Sequence, residues 1–162
     1  MPRLGSHRRR ATVSETVAVV GSREGADLEH VSAFLVALMR QQPDTILLSG
    51  GARGVDKWAE QTWLSLGGRV RSLRPRRVGD EDYAVEEWQL GGRQPQTFRR
   101  TDLPTGADYS SACLIRDIQI ADEATRVVAF FRYGLSRGAG FTAEWAEGLG
   151  KPTYKYEREP HE

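Results

Sequence analysis

The chain has 162 residues, 39% of them hydrophobic and 28% charged, with a formal net charge of +1. That balance is ordinary for a globular domain and excludes a mostly disordered chain. Near-neutrality also excludes a surface built throughout to attract nucleic acid, so any basic function must be local. Cys113 is the only cysteine and His7, His30 and His161 are scattered, which excludes a disulfide framework and gives no pattern for a metal site. No metal or cofactor is expected. No apolar run approaches the ~18 residues that span a bilayer, and no signal core follows the N-terminal arginines, so the expected location is the cytoplasm.

Residues 1–14 carry Arg3, Arg8, Arg9 and Arg10 without periodicity and read as a mobile basic arm. One domain is expected over residues 15–157, and a solvated tail over 158–162. Thr16 to Val20, TVAVV, is a short β-branched run ending in Gly21, the signature of a strand buried on both faces. From Asp27, a plausible N-cap, Leu28, Val31, Leu35 and Leu38 recur at helical spacing until Pro43. The pattern then repeats. Thr45 to Leu48 predicts a strand, Gly50 to Gly54 a turn, and Val55, Ala59, Trp63 and Leu66 the inner face of a helix that stops at Gly67 and Gly68. Val70 to Leu73 predicts a third strand.

Residues 74–108, with Pro75, Pro95 and Pro104, show little periodicity and read as a long insertion: a lid, a partner surface or a disordered loop. A run of arginines, Arg69, Arg71, Arg74, Arg76 and Arg77, leads into it. A helix is predicted from Tyr109 to Ala124, a strand over VVAFF from Val127 to Phe131, and then a loop with Gly134, Gly138 and Gly140. A helix with Ala143, Trp145, Ala146 and Leu149 and a strand from Pro152 to Tyr156 complete the pattern. Strands alternating with helices predict an α/β three-layer sandwich with a mostly parallel sheet.

In such sheets, ligands bind outside the carboxyl ends of the strands, where helix N-termini and free N–H groups favour anions. Three glycine-bearing loops fall there: Gly21-Ser22-Arg23, Ser49-Gly50-Gly51-Ala52-Arg53-Gly54, and Gly138-Ala139-Gly140 running on to Thr142. A nucleotide phosphate is the natural guest. No loop has the Gly-Lys-Ser/Thr of a phosphate-binding NTPase loop, and the first lacks GxGxxG spacing.

Taken together, VAVVGSR, LLSGGARGVDKWAE, LIRDIQIADEATRVVAFF, SRGAGFTAEWA and GKPTYKY resemble the SLOG superfamily. That superfamily includes the DprA/Smf Rossmann domain, LOG-type phosphoribohydrolases and small YspA-like proteins. The block from Ser49 to Asp56, SGGARGVD, is its most specific element. The resemblance implies a Rossmann-like fold and a homodimer. The implied ligand is a nucleotide or nucleotide-derived molecule, sensed or processed. A second reading is a nucleoside monophosphate N-glycosidase of LOG type, because Gly138, Gly140 and Glu144 match the LOG loop and Arg116 falls at its arginine. In that case Glu144 stabilises an oxocarbenium-like sugar while Arg116 holds phosphate or sugar oxygens. A third is single-stranded DNA binding like the DprA domain, whose pattern Gly138, Thr142, Ala143 and Ala146 share.

Overall fold

The structure, a computed structural model, describes residues 15–92, 95–132 and 137–159. The basic arm, residues 133–136 of the last glycine-bearing loop and the end of the tail lie outside the described residues. In chain order the elements are β1 (Thr16–Gly21), α1 (Leu28–Gln41), β2 (Ile46–Ser49), α2 (Val55–Ser65), β3 (Arg69–Arg77), β4 (Tyr83–Leu90) and β5 (Gln96–Asp102). They continue with α3 (Tyr109–Glu123), β6 (Arg126–Phe131), α4 (Arg137–Gly148) and β7 (Thr153–Glu157).

The seven strands among the described residues form one sheet in the order β5-β4-β3-β2-β1-β6-β7. The run β3-β2-β1-β6-β7 is parallel, while β4 and β5 add antiparallel to its β3 edge. β1 is central because its four middle residues, Val17 to Val20, are all buried, leaving no face there for water. Its side chains alternate between two cores. Val17 and Val19 pack with Val31, Leu35 and Trp63 of α1 and α2, whereas Ala18 and Val20 pack with Ile120, Ala143 and Ala146 of α3 and α4. Alanines on α4 let that helix lie close to the sheet. The result is the expected α/β three-layer sandwich, Rossmann-like in its doubly wound parallel half.

Residues 74–108 do not form a long loop. β3 runs on to Arg77, and β4 and β5 fold back as an antiparallel extension of the sheet. Sequence reading misses these strands because Glu87 takes one of the three buried positions of β4 and β5 has no buried residue. Glu87, only 1% exposed, accepts from Arg71 Nε at 2.8 Å and lies 3.1 Å from Arg99, and Glu123 of α3 bonds to both arginines. On the opposite face Glu60 of α2 accepts from Ser72 Oγ at 2.6 Å and Arg74 Nη2 at 3.2 Å. A buried ion network replaces the apolar alternation that announces a strand.

Gly138 to Gly140 is also not a loop, since α4 already begins at Arg137. Glycine is tolerated there because the first turn of a helix has few intrahelical bonds to weaken. On α2, Trp63 is fully buried, whereas Trp58 is 39% exposed and donates from Nε1 to Ser32 Oγ at 2.8 Å.

Candidate nucleic-acid interface at the carboxyl edge

The order of the parallel strands reverses between β1 and β6, which opens a crevice at their carboxyl ends. Ser22 joins the two strands there. Its N–H donates to Phe130 O at 3.0 Å, its Oγ accepts from the Arg132 N–H at 2.8 Å, and its carbonyl accepts from the Val55 N–H at 3.1 Å. The last bond caps α2 with main chain, and no side chain of Gly54 is available to do so.

The glycines make this junction possible. A Cβ on Gly54, which sits at φ 85°, would lie 2.4 Å from both Ser22 O and Arg23 O; one on Gly21 would lie 2.3 Å from Phe130 O. A Cβ on Gly50 would meet Asp56 Oδ2 at 2.8 Å and Arg116 Nη1 at 3.0 Å. Sequence reading took these glycines as space for a ligand. The structure uses that space for its own neighbouring groups.

A cavity of about 500 Å³ results. Gly21, Ser22, Arg23, Ala52, Arg53, Asp56, Arg116, Gly138, Ala139 and Thr142 of the expected site line it. Ser49, fully buried, lies behind it, accepting from the Gly51 N–H at 3.1 Å. Gly50, Gly51, Gly54 and Gly140 are not part of the lining, and neither is Glu144, which is exposed on α4. Arg116 and Glu144 do not face each other across this cavity: Ala139, Thr142, Ala143 and Ala146 take the inward face of α4, and Glu144 falls on the other. Glu24, Asp117, Ile120 and Arg132 line the cavity without having been singled out. Arg132 had a signal, since it directly follows the apolar run VVAFF at the carboxyl end of a strand.

Arg116 is the buried centre, its side chain 9% exposed. Nε donates to Asp117 Oδ1 at 2.7 Å and Nη1 donates to the Gly50 carbonyl. Burial works against its charge, but Asp117 and Asp56 outweigh that and hold its pKa above the usual guanidinium value. Burial pushes Asp56 up to about 7, against the pull of Arg116 and of the Ala52 N–H 3.4 Å from Oδ2. Burial likewise raises Asp117, opposed by Arg116 and by hydrogen bonding with Thr142. Above this cluster Arg23, Arg53 and Arg132 form an exposed basic rim. Arg53 is 3.1 Å from Glu24, while Arg23 and Arg132 make no ion pair among the described residues. The cavity can thus take an anion at its mouth, above a buried guanidinium.

No protein-family profile matches the sequence, and no curated protein matches it. Solved structures do match, and they share the Rossmann-like α/β fold. DNA processing protein A (DprA) from Streptococcus pneumoniae superposes with a TM-score of 0.62 at 20% identity, over 88% of this chain and 50% of that one. DprA from Helicobacter pylori, studied for its single-stranded DNA binding mode, gives 0.61 at 17% identity, over 91% of this chain and 67% of that one. The chain thus spans half the length of the first. At these identities the likeness is one of fold. Among the described residues no helix is long and apolar enough to cross a membrane.

Proposed function

We propose that this chain binds single-stranded DNA, with the backbone phosphates held at the arginine-lined cavity. Of the three readings open from the sequence, this one gains most from the likeness to DprA folds. The observation that carries it is the convergence of Arg23, Arg53, Arg116 and Arg132 on one cavity at the strand-order reversal. In a chain of near-neutral net charge this is the kind of local basic site that a nucleic-acid backbone requires. In the longer arginine run Arg71, Arg74 and Arg76 are each paired with a glutamate, whereas at the cavity two arginines, Arg23 and Arg132, make no ion pair among the described residues.

Fluorescence anisotropy with a labelled single-stranded oligonucleotide tests the reading, with duplex DNA and deoxynucleoside monophosphates as competitors. The expected result is binding that weakens steeply with added salt and is poorly competed by duplex. Absence of binding at low salt would overturn it. A free nucleotide is the second reading, favoured by a cavity volume of about 500 Å³, within the range of small-molecule sites. Tight monophosphate competition, with no gain in affinity from longer strands, would establish that reading instead.

A further inference from the structure

Across the loop from Ser22 to Ala26 lies a second cavity of about 260 Å³, built of different chemistry. Tyr156 stacks on Phe130 with ring centroids 5.3 Å apart and planes at 23°, and His30 stands edge-on to Tyr156 at 4.8 Å. Tyr156 is nevertheless 39% exposed, so a fixed aromatic surface faces the cavity and solvent. Asp27, Glu157 and Glu159 bring carboxylates to it, with Arg158 beside them.

Both cavities open at the carboxyl edge of the sheet, and the end of β6 serves them in turn. Phe130 and Phe131 line the second, and Arg132, the next residue, lines the first. Gly25 stands between them, 3.1 Å from Arg132 Cβ if it carried a Cβ of its own, and its carbonyl accepts from Arg158 Nη1 at 3.2 Å. A strand held by phosphate over Arg132 therefore needs to advance only across this loop to reach the aromatic surface.

We propose that the second cavity is a nucleobase subsite for the strand whose phosphate occupies the arginine cavity, and that it favours bases with an exocyclic amino group. This rests on the single-stranded DNA reading above. Its acids disfavour phosphate, so the cavity does not duplicate the first. They suit the N4 amine of cytosine or the N6 amine of adenine, which donate to carboxylates, whereas thymine presents a carbonyl and a methyl group instead. The pre-oriented Tyr156 ring supplies stacking that any base can use. Amine recognition supplies the preference.

The test compares octamers of deoxycytidine, deoxyadenosine and thymidine, with deoxyribose 5-phosphate as a probe that lacks a base. The cytosine and adenine octamers are expected to bind about tenfold more tightly than the thymine octamer. Tyr156→Ala should weaken all three by about tenfold, Tyr156→Phe should restore stacking, and none should alter deoxyribose 5-phosphate binding. His30→Ala, at an exposed position, should move octamer affinity in the same direction without a change in melting temperature. Unchanged octamer affinity in both Tyr156→Ala and His30→Ala, or equal affinity of the wild type for all three octamers, would overturn the proposal while leaving phosphate binding standing. Failure of the wild type to bind any octamer would overturn the underlying reading as well.

Discussion

Arginines are spent in two different ways in this molecule. On β3 and β5, Arg71 and Arg99 converge on Glu87, which is 1% exposed, and Glu123 closes the network from α3. Those guanidiniums hold an antiparallel extension against a helix, and their charge is answered where it stands. At the carboxyl edge, Arg116 is also buried and paired, yet Arg23 and Arg132 stand above it with no ion pair among the described residues. A cluster of arginines in a sequence therefore does not by itself say whether it faces a ligand. The position of the carboxylates decides, and those opposite the hairpin arginines lie on strands and helices distant in sequence.

The sharpest way to separate the two regions is to break the hairpin network. Glu87→Gln removes the buried acid while Glu123 still holds Arg71 and Arg99, an expected loss of up to about 3 kcal/mol in urea unfolding, with oligonucleotide affinity of the folded fraction unchanged. A comparable loss of affinity in that fraction would mean that the hairpin arginines belong to the binding surface.

Next in size is a pH effect confined to the cavity. Asp56 has its pKa raised in the folded chain from 3.8 to about 7. Its contribution to stability is thus fully present below the unfolded value and is lost as pH rises through about 7. Between pH 5 and pH 8 the wild type should lose on the order of 3 kcal/mol that Asp56→Asn does not lose. A bound phosphate favours the protonated carboxyl, so affinity should fall as pH rises through the same range, and Asp56→Asn should flatten that profile. Parallel profiles for the two proteins would show that Asp56 does not titrate in this window.

These two experiments also mark where the sequence is legible. TVAVV and VVAFF announce β1 and β6 because strands buried on both faces need continuous apolar runs, and Asp27 caps α1 as its position suggests, accepting from the His30 N–H at 3.1 Å. β4 and β5 are hidden because Glu87 takes a buried position of β4 and β5 buries no residue, and only a fold can show that Arg71 and Arg99 meet that glutamate. At the site, the loops after β1 and β2 are readable as a sheet edge. The tasks of individual glycines are not, since what Gly54 or Gly50 makes room for comes from other segments.

A smaller, more specific change lies at the rim. Replacing Arg23 and Arg132 together with alanine should lower affinity for a single strand by about tenfold to a hundredfold at low salt, and should reduce the slope of log affinity against log salt by about 1.4. Both side chains are exposed, so stability should change by no more than ~0.5 kcal/mol each. A fall in affinity with an unaltered salt slope would place the lost contacts somewhere other than on phosphate.

The smallest expected effect is the most useful against the enzyme reading. A carboxylate that steadies a developing sugar cation must face the ligand, and Glu144 would have to reach the cavity that Arg116 lines. Two residues along α4 from Thr142, it is turned roughly 200° around the helix axis. Thr142 is 1% exposed and lines the cavity, whereas Glu144 is exposed and does not. Glu144→Gln should therefore shift stability by no more than ~0.5 kcal/mol, and oligonucleotide affinity by less than about twofold, as expected for a surface charge screened by salt. Asp117→Asn is the informative contrast, because that carboxylate holds Arg116 Nε at 2.7 Å and its loss should disturb both the guanidinium and the anion above it. Release of free base from a nucleoside monophosphate, abolished by Glu144→Gln and spared by Asp117→Asn, would reverse this order of importance and make α4's outer face the place to look for chemistry.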